Sequence, residues 1–377
     1  MRKTALGLVA AAWVLGSAAW ASAFDWGLPP WVPEPMVPPH NPMSAAKVEL
    51  GRHLFYDPRL SGNGSMSCAT CHQQNKAFTD GLARSPGITG ESAPRSAQSL
   101  VNVAYMPVLT WANPLLTELE VQALIPLFGE HPVEMGMAGR ERELFDRLAA
   151  DDRYHTLFRQ AFPHEAAQGT DRLFSLSTLT QSLAAFQRSL VSFDSAYDRY
   201  RYGGQPDAIS PAARRGEQLF FSERMECYHC HGGFLFTDNL RHARSPFPEL
   251  GFHNTGLYNT DGHSSYPNGH EGLQDITGRR DDHGMFRTPS LRNVAVTAPY
   301  MHDGSIPTLV EVIRRHYSVG GRATVEGAGP NPMRSAFIEG FAVSDEDISD
   351  LVAFLESLTD HRFLTHHGHS DPWPLTR

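Results

Sequence analysis

All four cysteines of the chain sit in two copies of one five-residue pattern, CATCH at 68–72 and CYHCH at 227–231. No other feature constrains the fold as tightly. Cysteines meant for disulfides are spread along an exported chain so that they tie distant segments together. A bridge inside C-x-x-C closes so short a loop that it removes little chain entropy. The spacing suits a different purpose. Two thiols one helical turn apart reach the two vinyl groups on one haem edge, and the histidine behind them then stands under the iron as its ligand. Thioethers made this way cannot reoxidise to a disulfide. The motifs therefore predict two covalently bound haem c groups, one on Cys68, Cys71 and His72, the other on Cys227, Cys230 and His231. A zinc site built from both cysteine pairs would have to join two separate regions and would leave both histidines unexplained. His229, inside the second motif, reads as a spacer.

The chain opens MRKTALGLVAAAWVLGSAAWASAFDWG. A positive start, an apolar run and Ala21-Ser22-Ala23 as a cleavage site make residues 1–23 a secretory signal peptide rather than a membrane anchor. No later stretch is long and apolar enough to span a bilayer. The mature chain is expected to begin near Phe24 and to work in a bacterial periplasm. Its formal net charge is −9, and its few basic pairs form no nucleic-acid footprint.

The rest of the chain looks duplicated. LGRHLF (50–55), the first motif and SLAAFQRSL (182–190) are matched in order by RGEQLF (215–220), the second motif and DLVAFLESL (350–358). Leu176, Leu179, Leu183, Phe186 and Leu190 recur at steps of three and four, which predicts an amphipathic helix. Ser344 with Asp347 reads as a capping box at the start of the second closing helix. Ser210-Pro211 carries an N-cap and first-turn proline. Strand signals are sparse. The expectation is an all-α fold of two tandem cytochrome c-like domains with long loops, 24–204 and 205–377, joined at the Gly/Pro-rich stretch 202–210. The histidine-rich tail, 365–371, is expected to fray.

Several longer stretches resemble one family. LGRHLFYDPRLSGNGSMSCATCHQQNKAFTDG, LVNVAYMPVLTWANP, QALIPLFGEHPVEMG, RTPSLRNVAVTAPYMHDGSIPTL and HYSVGG are similar to the bacterial di-haem cytochrome c peroxidases and their MauG-like relatives. The ANP and FGEHPVEMG stretches look most like the MbnH branch. In the ordinary peroxidases a loop histidine caps the first iron at rest. Here 85–96, SPGITGESAPRS, has no histidine, so the resemblance implies a first site already open to hydrogen peroxide. Over that open face the family places a glutamine, a proline and a glutamate, which map onto Gln122, Pro126 and Glu134. Two extra residues between the last two keep Glu130 as a substitute. A carboxylate there can take a proton from peroxide and return it to the departing oxygen.

The far side of the second iron has three candidates, Met301, His316 and Tyr317. MauG-like enzymes use a tyrosine, and HYSVGG puts Tyr317 where theirs falls. A phenol with a pKa near 10 costs about 4 kcal/mol to ionise at pH 7, a cost that ferric iron would meet. The resemblance then implies Fe(IV) storage at the second haem. It also implies a relay tryptophan between the haems, at Trp111, and a calcium ion held by Thr297, Pro299 and Ser96, the last where the family has asparagine, with Asn102 nearby. A further tryptophan that MauG carries before its second motif is Met225 here.

The expected activity is that of a di-haem enzyme. Hydrogen peroxide produces a high-valent state, which oxidises a partner protein at a tryptophan. For the MbnH branch that partner is a copper-binding, MbnP-like periplasmic protein. The alternatives are a peroxidase fed by small cytochromes or copper proteins, and a di-haem electron carrier with no peroxide chemistry.

Overall fold

A computed structural model describes residues 24–322 and 329–373; the signal peptide expected at 1–23 lies outside them. The chain is helical with long ordered loops. Among the described residues the one sheet is a two-stranded antiparallel ribbon, β1 Phe252–Asn254 against β2 Met285–Arg287, with His253 opposite Phe286. No helix among the described residues is long and apolar enough to cross a membrane.

The two halves cross their helices alike. In the first half, helix Ala45–Phe55 packs across helix Leu176–Arg188; in the second, Pro211–Phe220 packs across Asp345–Ser357. Both crossings need a glycine at the point of contact. A Cβ on Gly51 would lie 1.9 Å from the Ser182 carbonyl oxygen, and one on Gly216 would lie 1.9 Å from that of Asp350. The closing helices are capped alike. Ser175 with Thr178, and Ser344 with Asp347, form the reciprocal side-chain to backbone bonds that satisfy free N–H groups at a helix start.

Each half has its own apolar core. Leu50, Leu54, Phe55, Phe78, Leu183 and Phe186 anchor the first; Phe220, Phe236, Leu351, Phe354 and Leu358 anchor the second. The cores do not divide the chain at a single point. Tyr197, before the glycine-rich seam, packs in the second core, and Phe363 packs in the first.

The tail is a correction to the sequence reading. Residues 363–373 are ordered along the first half rather than frayed. Arg52 donates to the carbonyls of His367 and Ser370, Tyr56 donates to that of His369, and Gln74 to those of Phe363 and His366. Trp373 donates to the His53 carbonyl and lies under Arg59 and Arg153. A histidine-rich composition hid one large aromatic anchor near the end, and burial of such a ring outweighs the entropy of a free terminus.

Buried ion pairs tie the layers. Arg188 makes two 2.7 Å bonds to Glu120, which also accepts from Asn41. Arg292 grips Asp198 at 2.9 and 3.0 Å. The first pair links the closing helix to the short helix Leu119–Gln122 and so fixes where Gln122 can stand.

Candidate active site

The first motif folds as one helical turn, Cys68–Cys71, with Ser67 and Thr70 capping its start. Beyond it the chain doubles back through Ala77 and Phe78, both in the left-handed region at φ 50 and 60. That turn aims the Phe78 carbonyl at His72, whose Nδ1–H donates to it at 2.7 Å. The second motif repeats the device. Phe236 is left-handed at φ 53, and its carbonyl accepts from His231 Nδ1 at 3.0 Å. A carbonyl can only accept, so Nδ1 carries the proton in both rings. Each Nε2 is left as the lone-pair nitrogen, the tautomer an iron ligand needs. Burial pushes both imidazoles below their ordinary pKa, which keeps them neutral.

A cavity of about 270 Å³ opens beside the first motif. Cys68, Cys71 and His72 line it together with Gln122, Pro126, Glu134, Trp111 and Ser96. Residues far apart in sequence thus meet in one chamber. Its glutamate arm is well fixed: Ile88 N–H donates to the Glu134 carbonyl, Met135 N–H to that of Pro126, and Gly62 N–H to that of Met135. Burial raises the Glu134 carboxyl above its ordinary value. Glu130 is exposed and is not among the lining residues.

Around the second motif the surroundings differ. Residues Ile313–Tyr317 form a π turn, whose extra residue per turn re-aims side chains and which is frequent at functional sites. Tyr317 stands close enough to Cys230 and Cys227 that their charge would act on its phenol, which burial raises well above its ordinary pKa. His316 is fully buried with neither ring nitrogen hydrogen-bonded, and its charged neighbour is Arg322. Met301 packs in the cluster of Ala112, Tyr266 and Phe286.

Trp111 touches both regions. It lines the first cavity, and its ring packs against the Tyr266 and Phe286 cluster of the second half. Its Nε1–H donates to the Ser96 carbonyl at 2.8 Å, and its own carbonyl accepts from Arg287 N–H at 2.7 Å. Ser96 in turn donates to the His302 carbonyl, a few residues beyond Thr297 and Pro299. These three residues offer neutral oxygens only, and calcium takes six to eight oxygen ligands. Asn102 cannot serve there, because its side chain is committed to the Ser192 backbone.

Two features escaped the sequence reading. The carbonyls of Phe78 and Phe236 could have been found, since Phe-Thr-Asp follows both motifs, at 78–80 and 236–238. Arg287 carried no signal. It is buried between the halves and bonds to neutral acceptors, the Thr110 carbonyl and the Gln98 amide oxygen among them. It makes no ion pair among the described residues; burial lowers it to about 10, and the charge of Asp238 pulls the other way. A buried guanidinium is costly unless counter-charges meet it; Asp238 acts on it without a direct ion pair, and a haem brings carboxylates. No group of possible metal donors among the described residues combines the two cysteine pairs, so a shared zinc site has no support. The paired cysteines, the preset histidine tautomers, the cavity and the buried guanidinium together suit haem.

Comparison with known proteins agrees. The family model described as di-haem cytochrome c peroxidase matches residues 45–206. Methylamine utilization protein MauG of Methylorubrum extorquens is 34% identical over 330 residues, covering 88% of this chain and 82% of that protein. Cytochrome c peroxidase Ccp of Escherichia coli is 30% identical over 324 residues, covering 85% and 60%. The crystal structure of a MauG-like protein associated with microbial copper homeostasis superposes with a TM-score of 0.88 at 47% identity, covering 93% of this chain and all, 100%, of that one. The diheme peroxidase BthA from Burkholderia thailandensis gives a TM-score of 0.64 at 25% identity, covering 86% and 88%. This chain belongs to the di-haem cytochrome c peroxidase and MauG family of haem oxidoreductases.

Proposed function

We propose that this protein is a periplasmic MauG-type enzyme that reduces hydrogen peroxide in its first half and draws the electrons from a residue of a partner protein. One observation carries the reading. Gln122, Pro126, Glu134 and Trp111 share a single cavity with Cys68, Cys71 and His72, while Tyr317 stands by the second cysteine pair. Cys68 and Cys71, and Cys227 and Cys230, would hold two haems by thioethers, with His72 and His231 as iron ligands. When bound, the haems supply the iron at which the peroxide bond is cleaved and the sites that store oxidising equivalents.

The side chains then do the proton work. The Glu134 carboxylate takes a proton from one peroxide oxygen and hands it to the other as the O–O bond breaks, so that water departs. Its raised pKa brings donor and acceptor forms closer to the working pH. Gln122 orients the peroxide by hydrogen bonding, and Pro126 presents an apolar wall that limits water. Trp111, packed against both regions, is the relay between them. Tyr317 donates its phenolate oxygen at the second site. Its buried phenol would otherwise stay protonated, so its ionisation reports metal ligation directly. Calcium held by Ser96, Thr297 and Pro299 belongs to the same proposal and is checked by metal analysis of the purified protein.

The two halves are read as tandem cytochrome c-like domains, 24–204 and 205–377, behind a cleaved signal peptide. A copper-binding partner oxidised at tryptophan is favoured by the likeness to the MauG-like protein associated with copper homeostasis. The test is to add peroxide to the oxidised protein, follow its spectrum, and weigh a candidate copper-binding partner before and after. A lasting spectral change with a mass gain on the partner supports the reading. Fast return to rest with reduced cytochrome c and no mass gain would favour an ordinary peroxidase. No spectral change at all would leave an electron carrier.

A further inference from the structure

The two motifs differ in their spacers. The first has Ala69 and Thr70; the second has Tyr228 and His229. Those two rings sit 4.3 Å apart, and His229 stacks on Phe337 at 4.3 Å with the planes 19° from parallel. Phe337 is 45% exposed, and Phe221, its ring 6.4 Å from that of Tyr228, is 40% exposed. Tyr228 and Cys227 both pack against the second core. The phenol of Tyr228 reaches outward and donates its hydrogen bond to Glu223 Oε1, on an exposed side chain. The ring is thus one peptide from a haem-attaching cysteine, flanked by the tilted rings of His229 and Phe221, and its proton already points at a carboxylate. An oxidised phenol is a far stronger acid than a resting one, so its electron leaves readily only where its proton has somewhere to go.

We infer that Tyr228 is the redox-active exit of the second half, giving one electron inward while its proton passes to Glu223. This rests on the peroxide-driven reading above. The step balances as follows. Tyr228 loses one electron to the peroxide-oxidised protein and its phenolic proton to Glu223 Oε1, leaving a neutral tyrosyl radical. The external reductant returns one electron, and Glu223 returns the proton. Two such rounds deliver the two electrons that, with two protons, convert hydrogen peroxide to two waters. The first motif, with Ala69 and Thr70, has no ring that could do this.

The experiment uses the haem-loaded full chain. Peroxide is added with a nitroso spin trap, the haem spectrum is recorded, and the digested protein is mapped by mass spectrometry. The expected result is a trap adduct on Tyr228, lost in Tyr228→Phe, with the same haem content and the same initial spectral change in both. Glu223→Gln should weaken the adduct and slow the return to the resting spectrum when reductant is present. A normal spectral change with the adduct elsewhere, or unaltered return in Tyr228→Phe, would overturn the inference alone. An absent spectral change in wild type would overturn the peroxide reading and this inference with it.

Discussion

The first and second halves hold their motifs in the same way and surround them differently. Both cross a glycine-bearing helix with a closing helix, at Gly51 and Gly216. Both follow the motif histidine with a left-handed phenylalanine whose carbonyl sets the imidazole. Both use a left-handed asparagine, Asn102 and Asn293, with its N–H bonded to the end of the closing helix segment. The opposite faces share nothing. The first half folds residues 119–135 into a chamber with a half-buried glutamate; the second brings Tyr317, at the end of a π turn, up to its cysteine pair. What grips the histidine is common to the two halves, and the rest of each motif's surroundings is where they differ.

The comparison can be broken most sharply at Glu134. Glu134→Gln should slow the reaction with peroxide by about 10²–10⁴-fold, the usual worth of a positioned acid–base group, while Glu130→Gln leaves it unchanged; stopped-flow rates decide. In wild type the acid limb of that rate should fall off above the ordinary carboxyl value of 4.5, because burial raises Glu134 and protonation removes the base as pH drops.

The buried pairs come next. Glu120→Gln should cost about 3–5 kcal/mol by leaving Arg188 buried without its partner, and Asp198→Asn should do the same to Arg292; denaturant unfolding measures both. Burial alone would raise Glu120, but the bonds from Arg188 and Asn41 outweigh it and hold its pKa down. Its contribution is therefore present above about pH 4.5, the value of an unperturbed glutamate, and is lost as pH falls through the lower folded value. The helix crossings should respond less. Gly51→Ala and Gly216→Ala each force a Cβ onto a carbonyl oxygen and should destabilise by roughly 1–3 kcal/mol, equally in the two halves. Smallest are the caps: Ser175→Ala and Ser344→Ala should each cost about 1 kcal/mol, read as a small drop in unfolding midpoint.

Much of this was legible in the chain. The motif spacing, the apolar period of 176–190 and the Ser-x-x-Asp start at 344 act locally, and local rules recover them. Gathering Gln122, Pro126, Glu134 and Trp111 at one chamber depended on family resemblance, because no periodicity links positions that distant. Arg287 was invisible for a physical reason: its burial without a direct ion pair is a product of packing, which no local pattern shows. The tail was misread because composition argued for disorder while a single Trp373 supplied the anchor.

Cyanide titration of the fully oxidised protein, followed by electron paramagnetic resonance, tests the asymmetry most directly. One equivalent should bind, at the first site, with the second site opening to cyanide only in Tyr317→Phe. Binding of two equivalents to wild type, or of none, would contradict the account.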